Sequence, residues 1–456
     1  MGGSKMPETG SKYIGEVIDL THDGDGVVRA GDLTVFVSGC LIGDKIEFEI
    51  VEMKKNYGIG RLLSILEPSA KRVSYAFDTE SLGGGAPLID LDYKAQLNWK
   101  WEKVKKDFER IAGLKLEVRP IIGMGYPFRY RNHTQVPVGI HNGEIVTGYY
   151  KKGTNIIVPM TKDYLQPELG DRILSAVRSW MGHHSIEPYD RFSKTGKIKH
   201  IGIRINQNNE AMVIIVTTFD KLPELHSLVH KLITETPGVV SIYQNINPDD
   251  GGTTYGRQYR HLFGQEKLID YIGDLRFEIS PNSFFQVNTR QVSILYDTAI
   301  KFLEPGSLDT ICDIYSGIGT ISLYAARFAR KVYGIESIRA AVENAKNNAK
   351  INGIQNTEFI ADRAELAFPD LLRAGDAINK VILDPPRKGC DKKVIDALLL
   401  HKPETIVYVS CNPSTLARDT KLLIDGGYEV KAVQPVDMFP HSAHVETVVL
   451  ITRVKE

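Results

Sequence analysis

Between Lys12 and Ser69 the chain runs in short segments where apolar and polar residues alternate, punctuated by glycine: YIGEVIDL, GDGVVRA, LTVFVSG, DKIEFEIVEM and NYGIGRLLSIL. Successive side chains of a strand point to opposite faces, so this period of two predicts half-buried strands. So many short strands over 12–68 predict a small closed, OB-like β-barrel, with Pro68 at its exit. No period survives over 69–92, where Gly83, Gly84 and Gly85 mark irregular backbone. The segment 93–112 (YKAQLNWKWEKVKKDFERIA) is amphipathic, rich in helix formers and stops at Gly113, which predicts a helix.

Over 125–280 the alternating runs HTQVPVGI, EIVTGYY, HIGIRIN and AMVIIVTT, with a helix near 222–235, predict an α+β central domain dominated by antiparallel sheet. The texture changes near Ser280. Apolar runs DTICDIY, KVYGIE, TEFIAD, KVILD and TIVYVS then alternate with helical stretches such as IRAAVENAKNNAKIN. Strands that are apolar throughout and separated by helices predict a parallel, doubly wound Rossmann-like α/β domain. The chain is thus read as multidomain.

The 456 residues suffice for two to four domains of ordinary size. Apolar residues at 42% and charged residues at 25% exclude a disordered, collagenous or coiled-coil chain. Lys plus Arg and Asp plus Glu both count 56, so no overall positive field advertises nucleic acid or an anionic membrane. The balance is local. Residues 12–68 hold six basic and ten acidic residues, whereas 94–133 hold ten basic and four acidic, and 191–209 hold five basic and none acidic. The last two segments are the better phosphate-binding candidates, with Tyr126, Phe128 and Tyr130 interleaved among Arg129 and Arg131 for base stacking. The acidic barrel retains Lys54, Lys55, Tyr57 and Arg61 on one edge, a basic patch for an anionic ligand.

Four scattered cysteines (Cys40, Cys312, Cys390, Cys411) make neither a disulfide framework nor a zinc module, which favours a reducing cytoplasm. No apolar run is long enough to span a bilayer, and residues 1–11 read as a flexible tail without a signal core.

Candidate chemistry collects at the ends of the C-terminal strands. Asp313-Ile-Tyr315-Ser-Gly317-Ile-Gly319 follows the first strand, where glycine lets backbone approach a ligand at the carboxyl edge of the sheet. A nicotinamide fingerprint would want Gly or Ala where Ser322 stands. Glu336 and Asp362 end the next two strands, placed for ribose hydroxyls and an adenine amino group; they also read as helix caps or solvated loop acids. One glycine turn followed by acids at successive strand ends resembles the class I S-adenosylmethionine-dependent methyltransferases. Asp384-Pro-Pro-Arg387 ends the fourth strand and Ser410-Cys411-Asn412-Pro413 the fifth. In amine methyltransferases the similar tetrapeptide has an aromatic residue where Arg387 stands. A lone cysteine is more often a small buried hydrophobe, but this one shares an edge with the glycine turn on a stiff Asn-Pro bend.

DPPRKG, VSCNP, FFQVN at 284–288 and HVET at 444–447 together resemble the RNA (uracil-C5)-methyltransferase family, ribosomal-RNA type. The resemblance implies an N-terminal TRAM domain at 12–68, a central RNA-binding domain at 69–92 and 125–280, and a catalytic methyltransferase domain at 93–124 and 281–456. It further implies 5-methyluridine formation with Cys411 as nucleophile and Glu446 as base. Gln286, Tyr315, Glu336 and Asp384 would contact S-adenosyl-L-methionine, whose product is S-adenosylhomocysteine; Gly317 and Asp362 complete the cofactor set. Phe284, Arg131 and Asp384 are the substrate candidates. Glu446 also reads as an exposed strand carboxylate, and Phe284 as a core residue. Many relatives carry cysteines for a [4Fe–4S] cluster where this chain has Phe77, Gly83, Ala86 and Tyr164, so no iron–sulfur cluster and no metal are expected. The expected partner is 23S ribosomal RNA, met by a monomer with no membrane contact, at one or two uridines. Transfer RNA, amine or ribose methylation, and a non-catalytic RNA-binding factor are the alternatives.

Overall fold

The computed structural model describes residues 7–454 apart from Asp250 and Asp376. Residues 1–6 of the expected tail lie outside the described residues. The remainder is engaged: Gly10 N donates to Ile50 O at 2.8 Å and Ile50 N to Ser11 O at 3.0 Å, lengthening the first strand pairing.

Strands β1 (Lys12–Glu16), β2 (Asp19–Leu20), β3 (Gly26–Ala30), β4 (Leu33–Val37), β5 (Lys45–Met53) and β6 (Gly58–Glu67) form one sheet in the order β1-β5-β6-β4-β3-β2. The sheet rolls up, since Ile18 N past the end of β1 donates to Val27 O of β3 at 2.9 Å. Alternate residues Ile46, Phe48 and Ile50 of β5 are buried beside Val28, Val35 and Val37. Leu88, Leu91 and Trp99 from the following segment close this small core.

Helix α1 (Tyr93–Asp107) continues as a π turn over Phe108–Ala112 and ends at Gly113, whose φ of 72° suits a residue without Cβ. It is not simply amphipathic, because buried polar groups line it. Gln96 Nε2 donates to the carbonyls of Leu88 and Leu91 at 2.9 and 2.8 Å, and fully buried Lys100 reaches fully buried Asp437 at 2.6 Å. A buried charge persists only with such a partner. Val104 and Phe108 of the same helix enter the C-terminal core, and Val118 and Ile122 bridge to Val433 and Val436.

The central sheet comprises β7 (His133–His141), β8 (Glu144–Thr147), β9 (Ile198–Ile205), β10 (Ala211–Thr217), β11 (Val239–Ile246) and β12 (Gln258–Gly264), in the order β12-β11-β10-β9-β7-β8. Helices α2 (Glu168–His183) and α3 (Leu225–Glu235) share its core. Pairing is antiparallel except between β10 and β11, which α3 connects by the crossover that a parallel pair requires.

A hairpin of β13 (Leu268–Ile272) and β14 (Leu275–Ile279) leads through α4 (Thr289–Leu303) into the last sheet. Its elements are β15 (Thr310–Ile314), α5 (Thr320–Ala326), β16 (Lys331–Glu336), α6 (Arg339–Ile351), β17 (Thr357–Ala361), α7 (Ala364–Arg373), β18 (Lys380–Leu383), α8 (Lys392–His401), β19 (Thr405–Ser410), α9 (Pro413–Asp425), β20 (Tyr428–Val436) and β21 (Glu446–Arg453). Strand order is β17-β16-β15-β18-β19-β21-β20, with β15 to β19 parallel and β21 antiparallel to both neighbours. The order reverses between β15 and β18, the switch point beside which open α/β sheets bind ligands. No described helix is long and apolar enough to cross a membrane.

Candidate active site

Cys411 follows β19 and begins a short bend into α9. Asn412 caps that helix, its side chain accepting from Ser414 N at 3.1 Å, and Pro413 occupies the first turn, where a missing N–H costs nothing. The Asn412 amide nitrogen also donates to Arg387 O at 3.0 Å, and Thr415 Oγ1 to the same oxygen at 3.2 Å. The DPPR and SCNP turns are therefore stapled together. Cys40, Cys312 and Cys390 are buried, whereas Cys411 is partly exposed.

Glu446 begins β21, and the register pairs Ser410 with Thr447. Cys411 and Glu446 thus sit at the same end of neighbouring strands. Glu446 is only 4% exposed, so it is not a solvated strand carboxylate. Burial, then the nearby Asp384, pushes it up to about 8, while Arg387 pulls it down. Burial and Asp313 push Asp384 up to about 7; burial pushes Asp313 itself up to about 7. Cys411 is raised to about 12 by burial, Glu446 and Asp384, and Arg387 opposes the rise. Arg387 also meets His444 Nε2 at 3.1 Å, and burial with Arg387 holds that imidazole down to about 4.

On the other side of the switch point, Tyr315 adopts a φ of 74°, rare for a residue with a side chain, and both Tyr315 N and Ser316 N donate to Ile335 O at 2.9 Å. Gly317 has a φ of 56° with open space where a Cβ would stand, and its N–H faces Glu336 Oε2 at 3.2 Å. Gly319 is different: a Cβ there would meet Phe359 at 2.9 Å, so its role is packing. Ser322 donates to Asp313, which explains a hydroxyl at that position. Asp313 Oδ1 and Ser316 Oγ are buried without partners. Asp362 lies exposed beyond β17, its Oδ1 accepting from Arg363 N at 2.7 Å.

The FFQVN loop is pinned from three sides. Asn288 caps α4 and donates to Met438 O at 3.0 Å, Asn132 Nδ2 donates to Gln286 O at 2.9 Å, and Arg204 donates to the carbonyls of Pro281 and Ser283. Gln286 is buried, whereas Phe284 is 72% exposed, which removes the reading of Phe284 as a core residue. The loop thereby presents an aromatic ring to solvent from a rigid seat.

These residues fit S-adenosylmethionine. A glycine turn with open space, a carboxylate at the end of the adjacent strand, and crowded buried acids that a sulfonium cation would relieve are what that molecule requires. Sequence reasoning gave no role to Asp313 and read Arg387 only as a replaced aromatic. A charged residue inside the apolar strand DTICDI was the available signal for the first.

Other expectations do not hold. Arg129 is no phosphate ligand: it donates to Asp163 O at 2.6 Å and to Asp171 at 3.1 Å. Tyr130 is buried and bonded to Pro440 O at 3.0 Å; only Tyr126 of the interleaved aromatics is well exposed. Lys100 and Arg204 are buried structural cations. Arg131 sits against Tyr149 and Asp163 of the central domain. Phe77 and Tyr164 stack at 3.6 Å with an interplanar angle of 15°, and Gly83 lies against Tyr149.

A reversed-order seven-stranded sheet with this glycine turn defines a class I methyltransferase fold. The tRNA (Uracil-5-)-methyltransferase family profile matches residues 265–454. An uncharacterized RNA methyltransferase of Clostridium tetani is 40% identical over 97% of this chain and 96% of its own length. One from Caldanaerobacter subterraneus is 43% identical over 98% of this chain and 99% of its own. The structure of Pyrococcus abyssi tRNA (uracil-54, C5)-methyltransferase in complex with S-adenosyl-L-homocysteine aligns at a TM-score of 0.78 and 28% identity, covering 96% of this chain and all of that one. The chain belongs to the S-adenosylmethionine-dependent RNA (uracil-C5)-methyltransferase family.

Proposed function

We propose that the protein methylates C5 of uridine in 23S ribosomal RNA through a covalent adduct between Cys411 and uracil C6. The observation that carries this reading is Cys411, the one cysteine not buried among the described residues, beside buried Glu446 and Asp384. Uracil C5 is a poor nucleophile while the ring is conjugated. Attack of the Cys411 thiolate on C6 makes the base an enolate and loads electron density on C5. S-adenosylmethionine, seated by Gln286, Tyr315, Gly317, Glu336, Asp362 and Asp384, supplies the methyl group. Glu446 then takes the C5 proton, and departure of the Cys411 thiolate restores the C5–C6 double bond. Arg387 favours both anionic states, offsetting the burial that opposes them. Exposed Phe284 receives the extruded base, since a uridine must leave its stack to reach the thiol.

We assign residues 12–68 to a TRAM-like module that recruits RNA, 69–92 and 125–280 to RNA binding with Arg131 at its inner edge, and 93–124 with 281–456 to catalysis. A specific observation favours a second substrate: the Pyrococcus abyssi enzyme, which acts on transfer RNA, aligns over its whole length. The N-terminal sheet therefore does not by itself separate the two RNAs. Mapping 5-methyluridine in both RNAs from cells with and without the protein decides between them. For the chemistry, Cys411→Ala should abolish tritium release from RNA containing [5-³H]uridine. Undiminished release would reject the covalent mechanism.

A further inference from the structure

The central domain contains a cavity of about 480 Å³ that the reaction at Cys411 does not use. It opens where the end of β7, the loop 150–157, the turn 188–192, the start of β9 and the segment after β11 meet. Its size lies in the range of small-molecule and base pockets. The lining combines stacking surface with charges of both signs, Arg191 and Lys199 beside Asp190 and Asp249. Phe192 is 82% exposed, Tyr150 40% and Ile156 59%, a concentration of exposed apolar side chains in one place. Arg191 is held at the rim, its guanidinium donating to Asn155 Oδ1 at 3.0 Å. Lys199 lies 4.5 Å over the Tyr189 ring and donates to Asp249 O at 2.7 Å.

Two further observations point to a ligand. His200 lines the cavity, and its Nδ1 is buried without a hydrogen-bond partner. Leaving such an atom unpaired is costly, and a small shift of the ring toward an occupant would relieve it. The turn is also prebuilt: Asp190 Oδ1 accepts from Phe192 N at 2.9 Å and Ser193 N at 2.7 Å, which fixes Phe192 outward at no ordering cost on binding. Burial holds His200 down to about 4, so its ring is neutral beside the cavity.

The position excludes the target uridine as occupant. His200 and Arg204 are four residues apart on β9, about 13 Å. Arg204 is bonded to the turn that precedes Phe284, at the far end of the strand from the cavity. We propose that this cavity is a second nucleotide site, which receives an unstacked base of the same RNA while Arg191 and its basic neighbours hold the flanking phosphates. The proposal rests on the reading of the chain as an RNA methyltransferase and adds how it selects its substrate away from the reacting base.

The test uses the full-length protein with unmodified transcripts of 23S ribosomal RNA and transfer RNA. With whichever RNA the wild type methylates, Phe192→Ala and Arg191→Ala should each raise the KM for RNA. Loss of one stacked base is worth at least about fivefold. The Kd of S-adenosylmethionine serves as the folding control and should stay unchanged. A smaller rise in KM for Phe192→Ala, with that Kd intact, overturns the proposal. Photocrosslinking of 4-thiouridine-substituted transcript gives a direct readout: crosslinks to peptides containing 150–156 or 189–192 support it, and crosslinks found only elsewhere overturn it. If the wild type methylates neither RNA, the functional reading has failed instead, and the crosslinks still test the cavity.

Discussion

The cleft at Cys411 and the cavity on the central sheet differ in charge and in solvation. In the cleft, burial pushes Asp313 and Asp384 up to about 7 and Glu446 up to about 8, and Arg387 is the cation set against them. In the cavity, Arg191 and Lys199 border exposed Phe192 and Tyr150. A formal net charge of zero is the sum of unlike regions, crowded acids in the cleft and charges of both signs around the cavity. The difference also teaches where pH should matter. Carboxylates crowded in a dry cleft titrate near neutrality, while His200 in the cavity is already neutral there.

The largest effect should come from removing one acid of the cleft. Glu446→Gln should lower the release of 5-methyluridine RNA by about 10²–10⁴-fold and let a methylated protein–RNA adduct accumulate on a denaturing gel, because the C5 proton has no acceptor. If transfer falls with no adduct, Glu446 serves an earlier step. A smaller effect should appear in the pH dependence of kcat/KM. Glu446 accepts a proton only when ionised and is pushed up to about 8, so the rate should climb about tenfold per unit from pH 6 toward 8. A flat profile over that interval would remove Glu446 as the titrating base.

The smallest effect is thermodynamic. Burial raises the folded-state pKa of Glu446 above its ordinary value of 4.5, so the native state favours the protonated carboxyl. The associated stability is complete below pH 4.5 and is lost as pH rises through about 8. Glutamine escapes that loss. The ligand-free Glu446→Gln protein should therefore melt a few degrees above wild type at pH 8.5 and at the same temperature at pH 4.5, by differential scanning calorimetry. His441 and His444, held down to about 3 and 4, act in the opposite sense but are common to both proteins. An equal Tm at both pH values would mean that the cleft is better solvated than its burial implies.

Much of the fold was legible because its signals are local. The run KVYGIE becomes β16, TIVYVS becomes β19, and the helix beginning at Tyr93 stops at Gly113. The site's strand-end residues were legible for the same reason: a glycine turn and an Asn-Pro bend declare themselves within a few residues. Charged and aromatic residues were not. Arg129, Lys100 and Arg204 read as free cations in the sequence, yet each answers a carboxylate or carbonyl distant along the chain. Whether a cation faces solvent depends on its spatial partners, which composition does not report.

The sequence by itself determined the alternation of the first two large sheets, the apolar runs of the third and the chemical groups at each strand end, since these follow from side-chain period and backbone conformation. Only the tertiary structure decided that β21 enters antiparallel between β19 and β20. That insertion sets Glu446 beside Cys411 and buries it among like charges. The raised carboxylates arise from this crowding, a property of distances across strands that no stretch of sequence contains.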